Sequence, residues 1–213
     1  MTTATLTPPH YIATRVAVWC GIVAGPLFVA AFLVQGFLKP DYNPLRHPVS
    51  SLALGPHGWI QTANFLLTGV LVLAFAAIAR SKTDKPTAVL IGLWGLGLIA
   101  AGIFVTDPVS GFPKGTPAIG EPTLEGSLHD GFSVIGFLCL IAAMFVNARR
   151  HRARATATTI AGIATAAFFV AFAAAMSQTP GLVEYGGALQ RVCVIIGFGW
   201  ITTLAIDTNK QAR

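Results

Sequence analysis

The stretch VAVWCGIVAGPLFVAAFLVQGFL, residues 16–38, decides the fold, because it runs for 23 residues without a charged side chain. An α-helix of that length is long enough to cross roughly 30 Å of hydrocarbon. Five further runs, each mostly apolar and of similar length, follow at residues 58–78, 88–105, 128–146, 156–176 and 186–205. The sequence therefore predicts an all-α fold, a single integral membrane domain over 1–213 that is a bundle of six transmembrane helices.

Positive charge is concentrated in alternate connections between these runs. The net charge is +6, and ten of the 14 Lys and Arg residues lie at the termini or after the second and fourth runs. By the positive-inside rule, both termini face the cytoplasm, and the loops at about 39–57, 106–127 and 177–185 face outward. This topology accounts for the excess positive charge, so we expect no nucleic-acid partner. The alanine-rich, lysine-poor composition favours a bacterial plasma membrane.

The first two outer loops contain much of the proline. Pro48 precedes an apolar segment and predicts the start of a short helix at the membrane interface, since proline suits the first helical turn. The second loop, TDPVSGFPKGTPAIGEPTLEGS at 106–127, is interrupted by proline and glycine throughout. It predicts an ordered but irregular lid.

A polar stripe enters the second run from its outer end. His57, Gln61, Asn64 and Thr68 follow one another at spacings that place them on one face of a helix. Unpaired polar groups are costly in a membrane, so this face is expected to point into the bundle or toward water. Helix packing through amide hydrogen bonds is an equally open role for Gln61 and Asn64.

The fourth and sixth runs also begin with polar residues. His129 and Asp130 open the fourth run, and Gln190 and Arg191 lie near the outer end of the sixth. Arg191 is about one helical turn inside the membrane and needs a partner there. We expect Asp107 or Asp130 to pair with it, either as part of a site or as a salt bridge that fixes the helices in register.

One alternative is a metal site formed by three histidines. His47, His57 and His129 provide the nitrogen ligands of zinc, which would leave one position open for water. Such a site could hydrolyse an ester or amide at the membrane surface. Haem held by two histidines is the weaker alternative. The candidate metal ligands are His47, His57 and His129, and the candidate catalytic residues are His47, Ser50, Asp107, His129 and Asp130.

Four blocks of sequence together resemble one family. HPVSSLALGPHGWIQTANFLLTG (47–69), FVTDPVSGFPKGTP (104–117), LHDG (128–131) and GALQRV (187–192) are similar to the DUF998 family of bacterial multi-pass membrane proteins. The resemblance covers nearly the whole chain. It implies six spans and an uncharacterised function, with no catalytic residues to carry over. The matching positions of most interest are His47, Ser50, Asp107, Pro108, His129, Asp130, Gln190 and Arg191.

Three functions fit these observations. In the first, an outward-facing polar pocket binds or transports a lipid headgroup or a small amphiphilic or anionic ligand. The second is a metal-dependent, membrane-embedded lipid hydrolase, and the third is a structural or accessory subunit whose polar residues staple the helices together. Membrane lipids are the expected partners, and association with a second copy or another membrane protein remains open. The residues predicted to bind the ligand are His57, Gln61, Asn64, Asp107, His129, Gln190 and Arg191.

Overall fold

The structure is a computed structural model that describes residues 9–82 and 84–211, with side chains at 13–80 and 84–210. Within these residues it has six long helices, three short 3-10 helices and no β-strand. All six long helices are long and apolar enough to cross a membrane, which confirms the prediction of an all-α, multi-pass bundle. The long helices are α1 (Pro9–Leu38), α2 (Trp59–Lys82), α3 (Lys85–Ile103), α4 (Leu124–Arg150), α5 (Ala155–Met176) and α6 (Gly186–Gln211).

The fourth helix begins earlier than its apolar run. The prediction placed its start at residue 128, whereas α4 starts at Leu124. Thr123 caps the helix, since its Oγ1 accepts a hydrogen bond from the backbone N–H of Gly126 at 3.0 Å. The cap, rather than the first apolar residue, sets the helix start. Because polar residues lie between Thr123 and residue 128, hydropathy alone did not predict where the helix begins.

The six helices form a closed ring in chain order. Each helix packs against the next one, and α6 packs against α1. The interior is aromatic and aliphatic, and its largest fully buried side chains include Phe28, Phe75, Leu140 and Ile201. Hydrocarbon surrounds such a bundle, so close packing rather than exclusion of water holds the helices together.

Glycine pairs bring α3 close to both neighbours. A Cβ added to Gly69 on α2 would lie 2.8 Å from the carbonyl oxygen of Gly95 on α3. A Cβ added to Gly97, also on α3, would lie 3.1 Å from the Cα of Gly136 on α4. Side chains at these positions would push the helices apart, so the glycines set the interhelical distance.

The fifth helix is the least enclosed of the six. Only 17% of its most apolar window is buried, against 39–56% for the other five helices. Its buried residues are Thr158, Gly162, Thr165 and Ala175. Many apolar side chains of α5 therefore remain available for contacts other than helix packing.

The first outer loop caps the N-terminus of α6. The backbone N–H groups of Gly187 and Ala188 donate to the carbonyl oxygens of Arg46 and Leu45 at 3.1 and 2.9 Å. Amides in the first turn of a helix need acceptors of this kind. A Cβ on Gly187 would lie 2.2 Å from the carbonyl oxygen of His47, so the close approach requires glycine.

Arg46 joins the three outer loops to one another. Its Nε donates to the carbonyl oxygen of Ser110 at 3.0 Å, and its Nη1 forms an ion pair with Glu184. Gln178 Nε2 donates to the hydroxyl of Ser110 at 3.2 Å. We call the joined loops, residues 39–58, 104–123 and 177–185, the outer cap, after the orientation that the sequence predicts. The second loop is ordered within this cap and irregular, as predicted.

A short helix follows Pro48, as the sequence predicted. It is a 3-10 helix over Val49–Ala53, with Pro48 as its N-terminal cap residue. Ser50 and Leu52 are among its buried residues, and its position at the membrane interface stays a prediction. The apolar side chains that suggested contact with lipid instead pack inside the outer cap, which places Ser50 toward the bundle.

Candidate functional site

A cavity of about 540 Å³ lies beneath the outer cap, beside the outer ends of α4 and α5. We call it the outer cavity. It is half open rather than enclosed, since two of its lining residues, Ile119 and Val134, are also 63% and 45% exposed at the surface. It is lined by Pro48, Ser50, Thr106, Asp107, Pro108, Val109, Ile119, Gly120, Pro122, His129, Asp130, Ser133, Val134, Phe137, Phe169, Phe172, Ala173, Met176, Ser177 and Gln190.

A smaller chamber of about 40 Å³ adjoins the outer cavity on the bundle side. Both spaces share Ser50, His129, Ser133, Phe137 and Gln190 in their linings. The rest of the chamber is apolar and includes four aromatic rings, of which Trp94 and Phe198 have centroids 4.6 Å apart. Polar groups therefore gather where the two spaces meet, and an aromatic layer lies deeper in the bundle.

His129 lies at this junction and is only 3% exposed. Its Nδ1 is 2.8 Å from the carbonyl oxygen of Phe104. A carbonyl oxygen can only accept a hydrogen bond, so Nδ1 carries the proton in this contact. In the neutral ring, Nε2 is then an acceptor, and it has no hydrogen-bond partner among the residues that the structure describes.

Gln190 and two serines complete the junction. Gln190 Oε1 accepts a hydrogen bond from the backbone N–H of Val49 at 2.6 Å, which leaves the amide Nε2 as a donor. Ser50 is buried and Ser133 is half-buried. Neither hydroxyl forms a hydrogen bond with another part of the described chain. We call Ser50, His129, Asp130, Ser133 and Gln190 the polar cluster.

Two aspartates line the outer cavity, but they differ in their partners. Asp107 accepts hydrogen bonds from the backbone N–H and the hydroxyl of Thr123 at 2.8 and 2.7 Å. It thereby supports the residue that caps α4. Asp130 is exposed toward the cavity, and its carboxylate has neither an ion pair nor a hydrogen bond within the described residues. Asp130 is therefore the carboxylate available to a ligand.

The opposite wall of the outer cavity is apolar. Phe169, Phe172 and Met176 project from α5, and Val134 and Phe137 face them from α4. Nothing in the sequence distinguished these residues, because an apolar side chain in a transmembrane run carries no distinguishing chemistry. Their spacing along α5 could have shown that they share one face, although it could not have shown that the face borders a cavity.

Two predicted pocket residues, Gln61 and Asn64, belong instead to the contact between α1 and α2. Asn64 Nδ2 donates to the carbonyl oxygen of Phe28 at 3.2 Å and to Gln61 Oε1 at 3.4 Å. Thr68 donates to Asn64 at 3.5 Å. His57 is exposed on the outer cap with a positive φ of 60°. Neither the outer cavity nor the chamber is lined by His57, Gln61, Asn64 or Thr68.

The predicted pairing of Arg191 with Asp107 or Asp130 is wrong. Arg191 is buried, and its Nη1 donates to the carbonyl oxygens of Pro44 and Gly187 at 2.6 and 2.9 Å. Its Nη2 donates to the hydroxyl of Tyr42 at 2.6 Å. Carbonyl dipoles of the folded loop therefore replace the expected carboxylate. Arg191 fixes the first outer loop against α6 and lines neither cavity.

The three-histidine zinc site is not assembled. Among the described residues, no three His, Cys, Asp or Glu side chains are placed to hold one metal ion. His47 Nδ1 accepts a hydrogen bond from the backbone N–H of Asn43 at 2.9 Å, and its ring packs 5.0 Å from Phe112, measured between centroids. Of the three histidines, His129 alone lines the outer cavity.

These features define the class of the protein: it is a multi-pass α-helical membrane protein with a partly polar cavity below an ordered cap. Comparison with known families then identifies the chain more closely. The family model described as "Protein of unknown function (DUF998)" matches residues 22–207, so the chain belongs to the DUF998 family. Comparisons with curated proteins and with solved structures gave no significant match.

Proposed function

We propose that the outer cavity binds one amphiphilic molecule, with its head at the polar cluster and its chain along α5. The observation that supports this most directly is the division of one lining into a polar end and an apolar wall. A volume of about 540 Å³ is within the range of small-molecule sites. A single lipid-like chain with a compact head group would fit both the volume and the chemistry.

The unpartnered polar groups support a ligand rather than a packing role. His129 Nε2 and the Ser50 hydroxyl have no hydrogen-bond partner in the described chain, and both residues line the outer cavity and the chamber. In contrast, Asn64 donates to Gln61 Oε1 within α2, at a position that lines neither space. A bound head group or water would satisfy the free groups.

The position of the cavity supports entry of the ligand from the bilayer. The cavity lies beside α5, the least enclosed helix, and Val134 and Ala173 are both exposed and part of its lining. An amphiphile already dissolved in the membrane would present its chain to this side. Binding would then bury the apolar chain against the phenylalanines of α5 and the head against His129.

A cavity-filling variant tests the proposal. We expect Ala173→Phe to block the outer cavity, whereas Ala167→Phe, at an exposed position on the same helix that lines neither cavity, is the matched control. Purified protein would be titrated with dodecylamine, dodecanol and dodecanoate, and binding followed by native mass spectrometry and thermal unfolding. Saturation by a ligand should raise the unfolding temperature of the wild type and the control by roughly 5–10 °C.

The two results of this test lead to different functions. Loss of the temperature shift in Ala173→Phe alone would support binding in the cavity. Equal shifts in all three proteins, or no shift with any amphiphile, would contradict it and favour a structural or accessory subunit instead.

We also propose that both termini and the basic loops are cytoplasmic, that the outer cap faces outward, and that the membrane is a bacterial plasma membrane. An even number of spans puts both termini on one side. The loops on that side carry Arg80, Arg149, Arg150, Arg152 and Arg154, as the positive-inside rule requires of cytoplasmic loops.

A further inference from the structure

We infer that the amphiphile taken by the outer cavity has a cationic head, a protonated amine held by Asp130 and by Nε2 of His129. This inference depends on the proposed function and narrows it to one class of ligand. A cationic head differs from the anionic ligand, which was one of the ligands that the sequence allowed.

The charge of the lining is the first argument. The outer cavity is lined by two carboxylates, Asp107 and Asp130, and by no Lys or Arg. The chain as a whole carries 14 Lys and Arg against eight Asp and Glu. A site for an anion would be expected to use some of this positive charge. Instead, no Lys or Arg lines the outer cavity.

The cations near the cavity are already bound elsewhere. Arg191 donates to backbone carbonyls and to Tyr42, although its neighbour Gln190 lines the cavity. Arg46 is paired with Glu184, and Lys114 is 3.8 Å from the carboxylate of Asp41. An anionic head would therefore meet carboxylates without a cation to balance its charge.

Hydrogen-bonding roles at the polar cluster are the second argument. The Asp130 carboxylate accepts hydrogen bonds only, and His129 Nε2 is an acceptor because Nδ1 donates to Phe104. Asp107 is occupied by Thr123. A primary ammonium has three donors and no acceptor, so it matches Asp130, His129 and one serine hydroxyl.

The remaining groups suit a hydroxyl close to the amine. The amide Nε2 of Gln190 is a donor, because its Oε1 is held by Val49, and a serine hydroxyl can donate or accept. A long-chain amine, with or without a neighbouring hydroxyl, is thus the ligand class. Its charge would be attracted to the Asp130 carboxylate, which has no ion pair among the described residues.

The experiment measures the affinities of dodecylamine, dodecanol and dodecanoate for wild type, Asp130→Asn and Glu121→Gln. Glu121→Gln is the control, because Glu121 is an exposed carboxylate on the outer cap and lines neither cavity. We expect wild type and control to prefer dodecylamine to dodecanoate, and Asp130→Asn to weaken dodecylamine about tenfold or more. Dodecanol should bind all three equally. Asp130→Glu, which restores the charge, should recover at least part of the loss.

The outcomes separate this inference from the proposed function. A preference for dodecanoate, or an unchanged affinity of Asp130→Asn for dodecylamine, would overturn the inference that the head is cationic. If Ala173→Phe still abolished binding in that case, the proposal that the cavity binds an amphiphile would remain supported. Absence of binding by every amphiphile would overturn both. Native mass spectra and unfolding profiles of Asp130→Asn without ligand show whether the variant is folded.

Discussion

At the residue scale, Arg191 shows how a buried charge can be stabilised without an opposite charge. Its guanidinium donates to the carbonyl oxygens of Pro44 and Gly187 and to the hydroxyl of Tyr42, and it lies over the rings of Phe32 and Tyr42. Several oriented dipoles together replace a carboxylate, and the aromatic faces add cation–π attraction. Removing Arg191 would take away these contacts and leave the first outer loop held to α6 by the backbone hydrogen bonds of Gly187 and Ala188 and by Gln190.

His47 is a second buried group on which the outer cap depends. Its ring lies against Tyr42 and Phe112, and its Nδ1 accepts a hydrogen bond from Asn43. Burial, followed by the charge of Arg46, lowers the pKa of His47 below its ordinary value. The neutral ring is therefore the form that fits the folded cap.

This lowered pKa predicts a pH dependence of stability. The unfolded chain takes up the proton first, near its ordinary pKa of about 6.5, so the stabilising contribution is complete above that value and falls as the pH decreases through it. We expect the unfolding temperature of wild type to fall between about pH 7.5 and pH 5.5, and that fall to be smaller in His47→Gln. Thermal unfolding at a series of pH values measures both.

The matched control for His47 is His57→Gln. His57 is an exposed histidine on the same outer cap, so its removal should leave the pH slope of the wild type unchanged. Equal slopes in wild type and His47→Gln would show that another group causes the dependence.

At the element scale, the start of α4 is fixed by the segment that precedes it. Asp107 bonds both the backbone N–H and the hydroxyl of Thr123, and Thr123 caps α4 by accepting from Gly126. Glu125 in turn accepts from the backbone N–H of Val105 at 2.9 Å. The end of α3 and the start of α4 are thus joined by side chains, and this orients His129 toward the cavity.

Removal of the Asp107 carboxylate should loosen this connection. We expect Asp107→Ala to lower the free energy of unfolding by about 1–2 kcal/mol, the usual size of a lost helix-capping interaction. Backbone amides at 104–123 should also exchange faster with solvent in hydrogen–deuterium exchange. Glu121→Gln is the control, because Glu121 is an exposed carboxylate in the same segment with no side-chain partner in the described chain. Equal exchange in the two variants would argue against a capping role.

The fifth helix contributes to the cavity in a different way. Its sequence is dominated by alanine, and the larger residues Phe169, Phe172 and Met176 are grouped toward its outer half. Small residues elsewhere, such as Gly162, let α5 approach α4 closely, while the large ones form the apolar wall. The helix thus packs through its small residues and borders the cavity with its large ones.

At the scale of the whole molecule, the two ends of the ring are held by different interactions. The outer end is joined mainly by backbone and side-chain hydrogen bonds within the outer cap. At the opposite end, Asp84 lies 3.6 Å from Arg150 and 3.5 Å from His151, and Arg154 pairs with Asp207. Burial raises the pKa of Asp84, but the hydrogen bonding from Thr87, together with Arg150 and His151, lowers this pKa overall.

The proposed orientation can be tested by cysteine labelling. The native cysteines Cys20, Cys139 and Cys193 are free and would be replaced by alanine. A single cysteine would then be placed at Lys114 of the outer cap or at Arg152 of the basic end, both of which are exposed. In intact cells, a membrane-impermeant maleimide should label Lys114→Cys, and Arg152→Cys only after permeabilisation. The reverse pattern would invert the orientation.

Sequence by itself determined the number of spans and where they lie. Hydrocarbon of fixed thickness requires a helix of fixed length, so an uninterrupted run such as 16–38 is sufficient evidence on its own. It also brought His129, Asp130 and Gln190 to the outer end, because the helix count and direction give each residue its depth. The polar stripe at Gln61 and Asn64 was expected to point into the bundle or toward water, and both side chains are buried; packing was one of the roles left open.

Only the tertiary structure decided which polar residues have partners and which border the cavity. Gln190 and Val49 are 141 residues apart along the chain, and Arg191 and Pro44 are 147 apart. Contacts of this kind depend on loop conformation, since backbone carbonyls carry no signature in the amino-acid sequence. The same is true of the apolar wall on α5: lipid, a neighbouring helix and a ligand all favour the same side chains, and only their arrangement in space distinguishes them.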